Sequence, residues 1–486
     1  MKKGDVLESV LVESMAAEGR CVSKLPDGRV LFVEGAAPGD VANIQLTRIK
    51  SNFLEGRATQ IISYSSYRQQ PFCEHVGLCG GCKWQHLHYQ HQLQFKHQQV
   101  IDNLERIGGV DTSSIKPILP SATTQFYRNK LDYTFSSHRW LTREELHAKK
   151  QAQADPAVLL PATTLSSEVA LGYHLPSHYD KVFDVHTCYL QPEPSNSIRL
   201  YVKQLALEKE IPFFDLRKQV GFLRTLTIRS ANSGEMMVIL QVTYDQPEWT
   251  HFILDKLHEK FPQITSLQYV INGKRNDTFH DLTIITYKGL PYITEEMDKP
   301  DGSGKLFFRV GPKSFYQTNA HQAFHLYKIA WEMAALSGNE CVYDLYTGTG
   351  TIASFVAAHA KKVIGVEYVA AAIDDAKVNA SLNNISNVSF FAGDMKDLLK
   401  EDFIQQHGQP DVVITDPPRA GMHEDVCKVL LQAAPQRIVY VSCNPATQAR
   451  DLKILREKYV VTAIQPVDMF PHTTHVENVV RLDRIS

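Results

Sequence analysis

The 486-residue sequence has almost no excess charge of either sign: 51 Lys and Arg stand against 53 Asp and Glu, a net of -2 with His neutral. This excludes a surface that is basic throughout and confines any nucleic-acid contact to local basic patches. The sequence also lacks an apolar run of membrane-spanning length. Its start, "MKKGDVLESV", follows the lysines with Asp5 and Glu8 rather than with the apolar core of a signal peptide. The expected location is therefore cytoplasmic, with no membrane partner. Cysteine is sparse, eight residues in all, and in a reducing compartment these are expected to be reduced, metal-bound or reactive rather than paired in disulfides. Internal repeats and extended low-complexity tracts are missing too. What is there is a globular composition, 43% hydrophobic and 21% charged, in a chain too long for one ordinary domain.

Patterning divides the chain into three regions. Residues 1–63 carry the β-rich runs "DVLESVLVES", "RVLFVEG", "DVANIQLTRI" and "EGRATQIIS", separated by the turn signals "LPDG" and "GAAPGD". They predict a compact OB-like β-barrel, a shape that carries oligonucleotides; an SH3-like packing module without a ligand fits the pattern equally well. Residues 64–300 predict a central α+β domain. It opens with a cysteine-rich stretch and a helix over about 88–108, in which Leu93, Val100, Ile101, Leu104 and Ile107 form the apolar face and Gly108-Gly109 the stop. That helix is a candidate to pack on the third region. An exposed insertion rich in Ala, Lys and Gln is expected near 141–165. Residues 301–486 alternate helical stretches with the apolar strands "CVYDLYTGTG", "KVIGVEY", "VSFFAGD", "DVVITDPP" and "RIVYVSC". This is an α/β pattern, a doubly wound parallel sheet whose ligands gather at the carboxyl ends of the strands.

The turn "DLYTGTGTIA" follows the first of these strands and opens a helix. Gly348 and Gly350 allow the tight turn and bring backbone N–H groups against a ligand, with Thr351 at the helix start. Glu367 ends the second strand, 23 residues after Asp344, where a carboxylate can accept both hydroxyls of a ribose. Asp394, closing "FFAGD", is placed to meet an adenine ring. Both a dinucleotide and S-adenosylmethionine fit so far, because Ala353 is allowed at the third position of the dinucleotide motif. The fourth strand decides: it runs into "TDPPRAG", where Asp416-Pro417-Pro418 forms a rigid polar loop of the kind found in methyltransferases acting on planar nitrogen-containing rings.

Taken in order, "DLYTGTGTIA", "GVE", "TDPPRAGM", "VSCNPATQARDL" and "FPHTTHVENVVRL" resemble the RNA uracil-C5 methyltransferases, which include the bacterial 23S ribosomal RNA and tRNA 5-methyluridine enzymes. The resemblance runs from residue 1 to the C-terminus and is weakest across about 140–170 and 200–300. It implies a Rossmann-like S-adenosylmethionine-dependent domain. It makes Cys443 the nucleophile, Glu477 the general base and Asp416 the group that bonds the uracil edge or organises methyl transfer. Gln317 and Tyr346 match residues that contact the cofactor; read without the family, Gln317 is a polar residue before a helix. Cys341 and Cys427 read as packing residues.

The remaining cysteines carry a second expectation. "FCEHVGLCGGCKWQ" sets Cys73, Cys79 and Cys82 at C-x5-C-x2-C, and Cys188 in "DVHTCYL" is the best candidate for a fourth ligand. Four thiolates suit zinc or a [4Fe–4S] cluster; the family subgroup with this spacing binds [4Fe–4S], structural or RNA-positioning in role. The N-terminal "EGRCVSKLPDGRVLFVEGAAPGD" resembles the TRAM domain, an RNA-binding barrel. With the cysteine cluster, it favours 23S ribosomal RNA as partner, tRNA being the alternative, and the target uridine is expected to flip out of a single-stranded loop. Arg48, Lys50, Phe53, Arg57, Arg128, Lys130 and Tyr133 are candidate contacts to phosphates or bases. A non-catalytic RNA-binding or iron–sulfur protein is the reading from another class, and the joint presence of Cys443 and Glu477 argues against it. The default expectation is a monomer.

Overall fold

The computed structural model describes residues 1–16, 19–154, 168–176 and 178–485. The N-terminal region is a six-stranded sheet in the order Val6–Leu11, Val41–Ile49, Phe53–Ser63, Val30–Glu34, Cys21–Lys24, Ser14–Met15. Its two edge strands are separated in sequence only by Val12 and Glu13, so the sheet must curl until its edges meet. Alternation drives the curl: Ala42, Ile44 and Leu46 face inward with Leu31, Val33, Cys21 and Leu54, all with at most 1% exposure.

The central region is built on a seven-stranded sheet in the order Ile284–Gly289, Ile264–Ile271, Met236–Val242, Leu223–Ser230, Lys130–Ser136, Ala170–Leu175, His178–Asp184. The helices Ser195–Glu208 and Pro247–Lys260 cover one face through Ile198, Val202, Ile253 and Leu257. The other face gives Met237, Ile239 and Val270 to the core of the third region. The helix Tyr89–Asn103 and the wide turn Leu104–Gly108 after it leave this region altogether. Val100 and Leu104 pack with Ala449, Leu452 and Leu455 of the C-terminal domain. The first part of the expected insertion forms the helix Arg143–Ala154, and the rest of it lies outside the described residues.

The C-terminal sheet has the order Val388–Ala392, Lys362–Glu367, Cys341–Leu345, Val412–Thr415, Arg437–Ser442, Glu477–Arg484, Tyr459–Val467. The first five strands are parallel, and all but the edge strand Val388–Ala392 are buried on both faces, which is why they read as continuous apolar runs. Glu477–Arg484 is antiparallel to both of its neighbours. A hairpin, Ile293–Asp298 with Lys305–Val310, packs Ile293, Met297, Leu306 and Phe308 into the same core. The boundary expected at 300 falls in the turn of this hairpin, whose first strand is buried in the core that Met237, Ile239 and Val270 of the central sheet share with the C-terminal domain.

Candidate functional site

Chain reversal after each parallel strand gathers the polar residues at one edge of the sheet. The first strand ends at Leu345 and the chain turns through Tyr346, at φ +61°, Gly348, at φ +55°, and Gly350, at φ +76°. A side chain at Gly350 would start 2.8 Å from Phe390 Cζ, so the helix Thr351–Val356 comes this close to the third strand only with glycine there. Gly348 faces open space and donates its N–H to Glu367 Oε2 at 3.1 Å, while Val369 N–H donates to Glu367 Oε1 at 3.0 Å. Asp344 is fully buried: its Oδ2 accepts from Ala353 N–H at 3.0 Å and from the Thr347 hydroxyl, and its Oδ1 has no protein partner. An unpartnered carboxylate oxygen beside a glycine turn is suited to an external donor. Asp394 has a local task as well, since it caps the short helix Met395–Leu398 by accepting from Lys396 N–H at 3.2 Å.

The fifth strand ends at Ser442 and the next residue is Cys443, half-buried. Asn444 caps the helix Pro445–Leu455, so a helix N-terminus opens directly behind the thiol. Ser442 pairs with Asn478 across the antiparallel ladder, which sets Glu477, the first residue of its strand, opposite Cys443. Burial pushes the Glu477 carboxyl up to about 8, with Asp416 adding to the shift and Arg419 opposing it. Burial likewise raises Asp416 to about 7 and Asp344 to about 7, the latter helped by Asp416 and Glu367. The Cys443 thiol stands at about 11, raised by burial, Glu477 and Asp416 and lowered by Arg419. The cleft is therefore a set of acids taken out of water with one cation at its rim, and their mutual repulsion favours a positively charged ligand.

Two residues of the cleft carried no signal in the sequence reading. Tyr327, on the helix Ala320–Ala334, is buried with Asp416, Asp344 and Glu477 all disfavouring its ionisation, and it shares a hydrogen bond with the Gln317 side chain. Asn319, not Gln317, caps that helix, by accepting from Gln322 N–H at 3.1 Å. Gln317 is thus left to face the cleft, its carbonyl held by Asn129 Nδ2 at 3.0 Å. Arg419 lies 2.8 Å from His475 Nδ1, and its carbonyl accepts from Asn444 Nδ2 and Thr447 Oγ1, both at 3.1 Å, tying the Asp-Pro-Pro loop to the Cys443 turn. Its place one residue after "TDPP" was the available clue.

A second centre lies in the central region. Cys73, Cys79, Cys82 and Cys188 line one cavity of about 160 Å³ together with Arg128 and Tyr173. Cys188 is held by its N–H donating to Asn196 Oδ1 at 2.8 Å and its carbonyl accepting from Asn196 Nδ2 at 3.1 Å. Burial pushes Cys79 up to about 12 and Cys82 to about 11, with the neighbouring thiols adding to both. Such a convergence fits a group that binds thiolates and displaces their protons. Glu74, His75 and His186 also bring ligand atoms within 4.8 Å of one another, but His75 Nε2 already accepts the His186 N–H at 3.0 Å. Of the proposed RNA contacts, Tyr133 is corrected: it is fully buried, with its hydroxyl 3.2 Å from Ser195 Oγ, and has no face for a base. Phe53 packs edge-on against Phe32, Arg48 lies 3.7 Å from Glu55, and Arg128 stacks over Phe470.

Known proteins align with this architecture. The family profile for tRNA (uracil-5-)-methyltransferases matches residues 287–485, and that for the TRAM domain matches residues 2–59. A protein of Bacteroides thetaiotaomicron described as an uncharacterized RNA methyltransferase is 52% identical over 96% of this chain and 100% of its own length. A Chlorobaculum tepidum protein of the same description is 36% identical over 99% of this chain and 97% of its own. Among solved structures, the Pyrococcus abyssi tRNA (uracil-54, C5)-methyltransferase in complex with S-adenosyl-L-homocysteine superposes with a TM-score of 0.71 at 26% identity, covering 98% of this chain and 100% of that one.

The raised Glu477 carboxyl sets an expectation for stability. A carboxyl whose folded pKa lies above its unfolded value holds its proton more tightly when folded, so its effect on stability is lost progressively as pH rises from about 4.5 to about 8. Glu477→Gln is therefore expected to stabilise the protein by on the order of 1 kcal/mol at about pH 8.5 and to leave it nearly unchanged at about pH 4.5. Thermal unfolding of both proteins at the two pH values checks this.

Proposed function

Because the chain belongs to the family of RNA uracil-C5 methyltransferases with an N-terminal TRAM domain, we propose that it methylates carbon 5 of a uridine in 23S ribosomal RNA through a covalent bond from Cys443 to carbon 6. The observation that carries the reading is the register that sets Glu477 opposite the Cys443 turn at the mouth of an acidic cleft. The cleft fits S-adenosylmethionine: Asp344 Oδ1 offers a vacant acceptor, Glu367 sits at the second strand end, and Gly348 leaves room for a close approach. When bound, this cofactor supplies a methyl group activated by a sulfonium charge.

Carbon 5 of uracil is a weak nucleophile until a thiolate adds at carbon 6. Cys443 Sγ forms that bond, and the electrons of the 5,6 double bond pass to carbon 5, which becomes able to take the methyl group. Carbon 5 then holds both the methyl and its original hydrogen. Glu477 takes this hydrogen as a proton, the double bond re-forms, and the carbon 6–sulfur bond breaks to return Cys443 as a thiolate. A carboxylate raised to about 8 is a stronger base for this step than an exposed one. The same burial keeps Cys443 a thiol in the free protein; a cation entering the cleft favours the ionised form of each acid there, and the thiol's proton passes to solvent before Sγ adds to carbon 6. Asp416 and Gln317 are the groups to bond the uracil edge and the cofactor. In the central domain, four thiols lining one cavity suit a metal centre bound by thiolates, and the family pattern favours a [4Fe–4S] cluster over a single zinc ion.

The substrate has a second reading. The Pyrococcus abyssi neighbour, a tRNA (uracil-54, C5)-methyltransferase, matches 98% of this chain, which favours tRNA. The TRAM domain and the cysteine set favour ribosomal RNA on the family pattern. RNA carrying 5-fluorouridine separates them, because fluorine at carbon 5 cannot leave as a proton and arrests the covalent stage. With S-adenosylmethionine, a protein–RNA adduct is expected on a denaturing gel with 23S ribosomal RNA and not with tRNA, and Cys443→Ala is expected to abolish it. An adduct with tRNA alone reverses the substrate assignment, and none with either RNA refutes the role of Cys443.

Two further outcomes follow from the acids and the thiols. Base and nucleophile both work only when unprotonated, so kcat/KM is expected to rise with pH through about 7 to 8, the range to which Asp416 and Glu477 are raised, and to keep rising above it as the Cys443 thiol ionises. A profile that falls across this range overturns the assignment of Glu477. Protein purified without oxygen is expected to carry about four irons and a broad visible absorbance band, both reduced in Cys188→Ser. Zinc in place of iron would make the centre a single-ion site.

A further inference from the structure

Glu477 is reached through the segment 468–476, which joins the strand Tyr459–Val467 to the strand Glu477–Arg484. This segment is irregular, with His472 in the left-handed region at φ +64°, a conformation that persists in a non-glycine residue only when its surroundings impose it. The surroundings come from other parts of the chain. Four successive carbonyls are each held by a donor outside the segment: Met469 O by Asn319 Nδ2 at 2.8 Å, Phe470 O by Lys96 Nζ at 3.0 Å, Pro471 O by the Tyr127 hydroxyl at 2.9 Å, and His472 O by the N–H groups of Lys83 and Trp84 at 2.9 and 3.0 Å. Gln92 completes the hold on His472, accepting its N–H at 2.9 Å and approaching its Nδ1 at 3.1 Å.

At the start of the segment lies a buried ion pair. Lys96 Nζ donates to Asp468 Oδ1 at 2.6 Å, the Tyr89 hydroxyl donates to Asp468 Oδ2 at 2.7 Å, and both charged side chains are fully buried. Lys96 and Tyr89 belong to the helix Tyr89–Asn103, which the central region sends onto the C-terminal domain. A buried ion pair is weak evidence for stability, since an apolar pair of the same volume serves as well. What this one supplies is direction: it fixes the segment by donors of defined position, nine residues ahead of Glu477.

We propose that Lys96, Asp468, Tyr89 and Gln92 form a positioning network for proton removal: they set the 468–476 segment so that Glu477 meets the hydrogen on carbon 5 of the methylated adduct. The proposal rests on the reading of Glu477 as the base. None of the four residues touches substrate in this account; they act through Glu477. Its consequence is selective. Addition of Cys443 and methyl transfer do not use the Glu477 carboxylate, whereas release of the adduct does, so loosening the network slows the last stage more than the two before it.

The test uses the full-length protein, substrate RNA tritiated at carbon 5 of uridine, and S-adenosylmethionine labelled in its methyl group. Methyl label on the RNA reports transfer, and tritium in water reports proton removal by the base. Lys96→Met and Tyr89→Phe are expected to slow tritium release about tenfold or more relative to methyl attachment, in line with the cost of a misplaced reacting group, and to accumulate a covalent adduct on ordinary uridine RNA. If both labels slow together, or neither does, the network has no positioning role. Lys96→Met leaves Asp468 buried without its cation, so Tyr89→Phe and the paired change Lys96→Met with Asp468→Asn decide the matter if that variant fails to fold. Wild-type protein that yields neither label overturns the methyltransferase reading itself, which keeps the two failures distinct.

Discussion

Everything at the active edge depends on one strand running the wrong way. The parallel strands deliver their carboxyl ends to a common edge, and a sixth parallel strand would deliver only another C-terminal loop there. The antiparallel Glu477–Arg484 delivers its first residue instead. Because side chains alternate across a strand, a slip of one residue in the Ser442–Asn478 pairing would turn Glu477 to the opposite face. The register is protected by burial on both sides, with Val479, Val480 and Leu482 inside the cores. Asn478 adds a check of its own, since Gln448 bonds both its side chain and its carbonyl and also the Tyr440 carbonyl on the neighbouring strand. The register of the packed sheet thus fixes which face the carboxyl takes, and the segment that leads into the strand sets the rest of its position.

Burial that fixes these groups also makes the free cleft electrostatically incomplete. Asp344, Asp416 and Glu477 are all pushed up by loss of water, and Asp416 adds to the rise of both others. Arg419 is the cation felt by Glu477 and Cys443, and it sits exposed at the rim beside His475, whose own pKa is held down to about 4 by burial and by Arg419. A neutral His475 leaves the guanidinium without a competing cation next to it. Positive charge entering such a cleft favours the ionised form of each of these acids.

The sequence made the parallel sheet legible because strands buried on both faces are continuous apolar runs, and it made the glycine turn, Asp416 and Cys443 legible because each closes such a run. The barrel was legible through its alternation and turn signals, although the closure of its edges depends on the short Ser14–Met15 strand, too brief to stand out. What stayed hidden has a common cause. Tyr133 has the composition of a base-stacking residue, but its burial is decided by the helix Ser195–Glu208, far along the chain. Tyr327 reads as one more apolar position of an amphipathic helix, and its hydroxyl matters only because three strand ends converge on it. The hairpin at 293–310 was divided at its turn because sequence cannot say which core takes its first strand. Local pattern reports what a segment buries, not against what.

Lys96 is the sharpest case of that limit, and it bears on why the central region is present at all. In the sequence it lies among Gln and His, where a lysine reads as a solvated residue. In the fold it is wholly buried against Asp468, which lies 372 residues away. A helix whose buried residues are Gln92, Lys96 and Val100 is a poor source of hydrophobic stabilisation and a good source of directed donors. The segment it meets has no ladder to satisfy its carbonyls, and a buried carbonyl without a donor is costly. The central region answers that need with Lys83, Trp84, Lys96 and Tyr127, and the first two follow directly after Cys82. The stretch that lines the thiol cavity is therefore also the stretch that holds His472, so order in the one is a condition for order in the other. The central region thus completes the backbone hydrogen bonding of the segment that leads to Glu477.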